Sequence, residues 1–210
     1  MKSVRDLGVR LMIDAEHTYF QPAIDNITTD LSKKYNRDYP VIFSTYQMYL
    51  KDSSHRLEMD MERAKKCNYC FAAKLVRGAY MVIERARAAK KEYEDPIYES
   101  LERTHDNYNT ALTGLITDMA SGSRVEVMIA THNRHSVELA LQKMAELQLT
   151  PTSNVYFGQL LGTYVYCTRT GPNQNIFDFL MFLRTPYCFL ELHTHFFFTV
   201  YHLSFKWVLF

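Results

Sequence analysis

The stretch Phe71-Ala72-Ala73-Lys74-Leu75-Val76-Arg77-Gly78-Ala79-Tyr80 governs how the rest of this chain is read. Phe71 to Val76 is a largely apolar run of strand length, with Lys74 set inside it. It leads into Arg77, a permanent cation whose planar donor fork suits phosphate. Gly78 and the small Ala79 come next, and a glycine lets backbone approach a ligand where a side chain would obstruct it. A helical pattern then runs from about Tyr80 to Lys91. The carboxyl end of such a strand is where parallel α/β proteins bind ligands. An ordinary βα turn with a surface arginine has the same appearance, so a second element has to decide.

Val125 to Ala130 (VEVMIA) is that second element, another apolar strand running into Thr131, His132 and Asn133. Three adjacent polar side chains at a strand end can donate to a phosphate or a ring carbonyl. Thr131 or Asn133 can equally cap the helix that follows. Capping leaves His132 unexplained.

The remaining elements repeat the rhythm. Val9 to Ile13 is strand-like and ends at Asp14-Ala15-Glu16, and a helix is expected from about Gln21 to Tyr35, with Pro22 near its start. Pro40 opens a strand over Val41 to Thr45, ending at Tyr46-Gln47; Ser53 or Ser54 can cap a helix to about Lys66. Helices are expected over about 79–91 and 96–119, split near Asp95-Pro96, and after the strand at 125–130 to about Leu149. A fifth strand, Val155-Tyr156-Phe157, leads to Gly158-Gln159. Strands alternating with helices imply right-handed crossovers and a parallel sheet. Five strands are too few to close a (β/α)8 barrel, so sheet edges are expected to stay unpaired and to invite a partner.

Composition narrows the function classes. The chain has 210 residues, a length that suits one domain, and 47% of them are hydrophobic, enough for a sizeable core. A net charge of +1, with lysine and arginine spread along the chain, gives no electrostatic case for nucleic acid. Cys67, Cys70, Cys167 and Cys188 do not make a secreted disulfide framework at this length. Cys67 and Cys70 form a C-x-x-C, read as a redox pair, as half a zinc site, or as neither, since it precedes a strand and has no second pair. The opening MKSVRDLGVR has no apolar core and does not read as a signal peptide, though a start this near the first strand leaves a missing natural N-terminus open. From about Thr163 to Phe210 the chain is crowded with aromatics and loses the βα rhythm. Glu191, His193, His195, His202 and Lys206 break its best membrane-length window, and His193 with His195 lacks the partners of a metal site, so no metal is assigned. That stretch reads as exposed hydrophobic surface or a non-native extension.

RLMIDAEHTYFQPAI, TYQMYLK, FAAKLVRGAYMVIERARA, the THN turn and VYFGQLLG stand in order from about Val9 to Gly162. Together they resemble the proline dehydrogenase family, in particular its mitochondrial branch, with hydroxyproline dehydrogenase as the near alternative. The resemblance implies a partial (β/α)8 TIM-like barrel over residues 1–162, lacking its first and last strands, and a divergent tail over 163–210. It implies FAD-dependent oxidation of L-proline to Δ1-pyrroline-5-carboxylate, with electrons passed to a membrane quinone, in the mitochondrion at the inner membrane or its matrix side. The family's flavin contacts match Gln47, Lys74, Arg77, Gly78, Ala79, Thr131 and His132. Its active-site aspartate matches Asp14, which would hold a basic partner by a charge-assisted hydrogen bond, and Leu160 matches an apolar wall against the substrate. Lys74 would stabilise the anionic reduced ring, and His132 would touch the cofactor rather than act as a base.

Two departures stand out. After Gly162 the family's final helix carries an arginine pair that clamps the substrate carboxylate; here TYVYCTRTGPNQNIF follows, and Arg184 does not lie in that context. The family's first strands, with a substrate-binding lysine, would precede Met1. Lost clamp contacts are each worth about 1.5–3 kcal/mol, so the chain alone is expected to be inactive. A non-catalytic fragment that binds the full-length enzyme, and a different (β/α)8 enzyme for a phosphorylated substrate, are the rival readings.

Overall fold

The structure is a computed structural model that describes residues 9–150, 153–160, 198–201 and 207–209. In chain order come β1 (Arg10–Ile13), α1 (Gln21–Tyr35), β2 (Ile42–Gln47), α2 (Ser53–Cys67) and β3 (Phe71–Val76). Next are α3 (Met81–Lys91), α4 (Leu101–Ala120), β4 (Val125–Ala130), α5 (Arg134–Glu146) and β5 (Val155–Leu160), then β6 (Phe198–Tyr201) and β7 (Trp207–Leu209). Strands β1 to β5 are parallel and adjacent in sequence order. This is the expected α/β architecture of a partial (β/α)8 barrel.

The strands are apolar almost throughout because both faces are buried. On β3, Phe71, Ala73 and Leu75 join a core with Tyr108, Leu112 and Leu115 of α4, while Ala72 packs on the other face with Met12, Phe43, Met128 and Tyr156. Lys74 shares that second, concave face, since side chains alternate along a strand. Each fully buried Leu or Phe in these layers contributes about 1.5–3 kcal/mol.

Two observations require the sheet to curl. Arg10 on β1 makes a bidentate pair with Glu126 on β4 (3.1 Å for each bond), although β2 and β3 lie between them. Tyr156 of β5 donates to the same carboxylate at 3.0 Å. The second observation concerns the tail. β6 pairs antiparallel with β5 and β7 pairs parallel with β1, so they occupy opposite edges of a seven-stranded sheet. Only residues 202–206 join them, a link that spans roughly 21 Å at most. Six flat interstrand spacings would need about 29 Å. The edges of β1 and β5, expected to be unpaired, are therefore covered, and by residues read from the sequence as exposed surface or a non-native extension.

Smaller differences have local causes. Ser53 and Ser54 do not cap α2: their hydroxyls bond Leu50 O (2.7 Å) and Asn107 Oδ1 (2.5 Å), and the residue at the cap, Asp52, makes no side-chain cap bond. Helix α4 starts at Leu101, later than the pattern around Pro96 indicated, because Ile97 bridges to Leu50 and the Ser100 hydroxyl accepts from Arg103 N (3.2 Å). Ser100→Ala is expected to lower stability by about 1 kcal/mol, read as a lower urea midpoint with an unchanged slope. Cys67 is exposed and Cys70 buried, and both are free. Cys167, Arg184, Cys188, His193 and His195 lie outside the described residues. Among the described residues no helix is long and apolar enough to cross a membrane.

Candidate active site

The ends of β1 to β5 bring the expected residues to one mouth. Lys74 reaches it from inside: its side chain is 1% exposed and ends on Asp14 Oδ1, just past the end of β1. Lys74 stands in register between Thr45 of β2 and Met128 of β4, and the carboxylate fixes where the ammonium stands. The expected basic partner of Asp14 is thus Lys74 itself. Gln47 ends β2 and is buried; its Nε2 donates to the Tyr49 hydroxyl at 3.3 Å. Its Oε1 and the Oγ1 of Thr45, two residues earlier on the same face, are buried and have no partner among the described residues. Orphaned buried acceptors of this kind call for an explanation beyond packing.

Arg77 leaves the end of β3 into a cage of neutral groups. Its Nε donates to His105 Nδ1 (2.9 Å), one terminal nitrogen to Thr131 Oγ1 (2.6 Å) and the other to Ser136 Oγ (2.6 Å). The guanidinium carbon stands 4.1 Å from the centre of the Tyr108 ring, a cation–π contact. Burial lowers the pKa of Arg77 from its ordinary value. Its hydrogen-bond partners in this cage include no carboxylate, so the charge is oriented but not neutralised. Ser136 passes the contact on, donating to Asn109 Oδ1 at 2.6 Å. Tyr108 is buried beneath the guanidinium with its hydroxyl toward the Leu75 and Ala130 carbonyls, and burial drives its phenol well above the usual range.

Gly78 adopts φ +145°, and a Cβ there would lie 1.7 Å from the Tyr49 ring. The open side expected for a ligand is therefore filled by Tyr49 from the loop after β2. The two loops are also stitched through backbone: Met48 N donates to Val76 O (2.8 Å) and Tyr49 N to Arg77 O (2.9 Å). Gly78 and Ala79 themselves are exposed at the rim. Thr131 is buried, and its Oγ1 accepts from Asn133 N (3.0 Å) as well as from Arg77, while Asn133 caps α5 by accepting from Ser136 N (3.1 Å). Of the two capping candidates it is Asn133 that caps the helix, and Thr131 is turned to Arg77 instead. His132 is half-buried beside them, and Leu160 is the last residue of β5. The loop after β1 is clamped from α3, where the fully buried Glu84 accepts from Thr18 N (2.8 Å) and Thr18 Oγ1 (2.6 Å).

His105, Tyr108, Ser136, Tyr49 and Glu84 were not anticipated from the sequence. A signal existed on α4: His105, Tyr108 and Asn109 are polar positions on a helix whose later inward positions are Leu112, Leu115 and Ile116.

Known proteins resemble this arrangement closely. The sequence model of the family described as Proline dehydrogenase matches residues 1–173. Proline dehydrogenase 1, mitochondrial, from Homo sapiens is 48% identical over 162 residues, covering 77% of this chain and 27% of that protein. Its Drosophila melanogaster counterpart is 44% identical over 176 residues, covering 80% and 26%. A hydroxyproline dehydrogenase from Xenopus laevis is 38% identical over 181 residues, covering 85% and 38%. Among solved structures, proline utilization A from Bdellovibrio bacteriovorus superposes with a TM-score of 0.67 at 20% identity, covering 74% of this chain and 16% of that one, which supports the fold alone. The chain spans about a quarter of the length of the first two relatives. With the family model covering residues 1–173 and relatives 44–48% identical over more than three quarters of the chain, this chain belongs to the proline dehydrogenase family, a family of oxidoreductases.

Proposed function

We propose that the chain carries the flavin-holding part of a mitochondrial proline dehydrogenase, which oxidises L-proline to Δ1-pyrroline-5-carboxylate and passes the electrons to a membrane quinone. The observation that carries this reading is Arg77, held in place by three neutral acceptors and a ring, with its charge left for an anion at the strand ends. A phosphorylated flavin fits such a donor set, and the unpartnered Gln47 Oε1 at the same mouth suits a ring N–H. FAD, when bound, supplies the two-electron acceptor for proline oxidation.

The chain's own residues then have separable tasks. Arg77 and Thr131 bind the phosphate end, with Gly78, Ala79 and His132 lining the same rim. Lys74 would supply a positive charge to stabilise the reduced flavin, and Asp14 orients that ammonium. Gln47 would hold the ring by its amide, and Leu160, the last residue of β5, matches the family's apolar wall against the substrate. Residues 1–162 form this barrel portion, and 163–210 form a divergent tail that contributes β6 and β7. Proline is favoured over 4-hydroxyproline because, within one organism, Bos taurus, the proline dehydrogenase is 44% identical to the chain and the hydroxyproline dehydrogenase 39%. The carboxylate-clamping arginine pair has no counterpart in the stretch after Gly162, so the chain by itself is expected to hold flavin without turning over proline.

A visible spectrum of the purified chain with FAD, before and after L-proline, tests this. Bound flavin that stays oxidised is the expected result. Bleaching by proline would overturn the inactivity, and flavin that washes off would overturn the cofactor assignment.

A further inference from the structure

We propose that His105 is a positioning residue of the anion site: as a neutral imidazole it accepts the Arg77 Nε–H on Nδ1 and so aims the guanidinium at a bound phosphate. The inference rests on the reading of Arg77 as the phosphate contact. A guanidinium has five N–H groups. Three are taken by His105, Thr131 and Ser136, and two remain for an incoming anion. Ser136 and Thr131 hold only the terminal nitrogens, and each hydroxyl can rotate. His105 alone holds Nε, on the stem side, so it sets the rotation of the whole plane over Tyr108.

The anchor depends on protonation. With Nδ1 as acceptor, the ring proton must sit on Nε2. Protonation would turn Nδ1 into a donor facing a donor and would set a second positive charge against Arg77. The groups facing the imidazole come from three elements: Arg77 after β3, His135 on α5, and Glu102 and Asp106 on α4 itself. Burial first, then Arg77, holds His105 below the ordinary imidazole range, while Glu102 and Asp106 pull the other way. The contact is therefore present above the folded-state pKa of His105 and lost as pH falls through it.

The full 15N-labelled chain gives a direct readout. The imidazole two-bond spectrum should show His105 as the Nε2–H tautomer, and the Arg77 Nε–H cross-peak should vanish as pH is lowered past the ordinary imidazole range and His105 takes up its proton. FAD affinity, followed by quenching of flavin fluorescence at neutral pH, should fall about tenfold in His105→Ala. His105→Asn, which keeps an acceptor and cannot titrate, should restore it and remove the pH dependence. A proton found on Nδ1, or a His105→Ala chain that binds FAD like wild type while Arg77→Ala loses it, would overturn the role of His105 alone. If Arg77→Ala binds FAD as tightly as wild type, the phosphate reading falls and this proposal with it.

Discussion

Glu126→Ala is expected to destabilise the fold by about 3–5 kcal/mol, the usual effect of removing one partner from a buried ion pair. Arg10 and Glu126 are 5% and 4% exposed. Without the carboxylate, the buried Arg10 guanidinium loses this bidentate ion pair, and the Tyr156 hydroxyl loses this hydrogen bond. The change also removes the side-chain tie between β1, β4 and β5. A urea titration read by far-UV circular dichroism would measure it, and a loss under about 1 kcal/mol would show that water screens the pair. Breaking a pair is worse than replacing it, so Arg10→Met with Glu126→Leu should recover most of the loss.

The same residue predicts a pH signature. Burial raises the Glu126 pKa above its ordinary value of 4.5, and Arg10 offsets that only in part. The folded state then holds the proton more tightly than the unfolded one. Stability from this group is fully present below the unfolded carboxylate pKa and is lost as pH rises through the folded value. The stability difference between wild type and Glu126→Gln should therefore shrink as pH climbs from 4.5. A difference that is flat or grows would contradict the assignment.

Gly78→Ala carries the second large effect, and it falls on the site. The added methyl would overlap the Tyr49 ring at 1.7 Å, on a backbone at φ +145° that side chains rarely adopt. Tyr49 cannot step aside cheaply, being 1% exposed and bonded to Arg77 O through its own N–H. Overpacking of this kind costs about 1–3 kcal/mol, and strained backbone adds about 1–3 kcal/mol more. The displaced loop carries Arg77, so flavin binding should weaken together with stability. Trimming Tyr49 to alanine in the same chain should return part of both. Unchanged melting and FAD affinity in Gly78→Ala would mean that the loop rearranges freely.

Much of this was legible in the sequence where one residue's chemistry has a single use. The βα rhythm and the strand ends at Gln47, Arg77 and Thr131 follow from pattern and charge, whereas the pairing of Asp14 with a base was implied only by the family resemblance. Gly78 was singled out for the close approach that a missing side chain allows, but its contact with Tyr49 was not foreseen, because no local pattern shows that a residue from another loop packs where its Cβ would stand. His105 and Ser136 were missed because they serve Arg77 across 28 and 59 residues of sequence. Asn36 was missed likewise: its buried amide accepts from Val41 N and Ile42 N and donates to Ile42 O and Cys70 O, and nothing in its surroundings in sequence marks it. Such contacts belong to the folded arrangement, not to any window of the chain.

The five residues between β6 and β7 tether two strands of four and three residues, each too short to hold an edge alone. Once either strand docks, the other is confined near its own edge at an effective concentration on the order of millimolar. The two edges of the sheet are therefore occupied or vacated together, and the chain's resistance to association with other strands behaves as one cooperative switch.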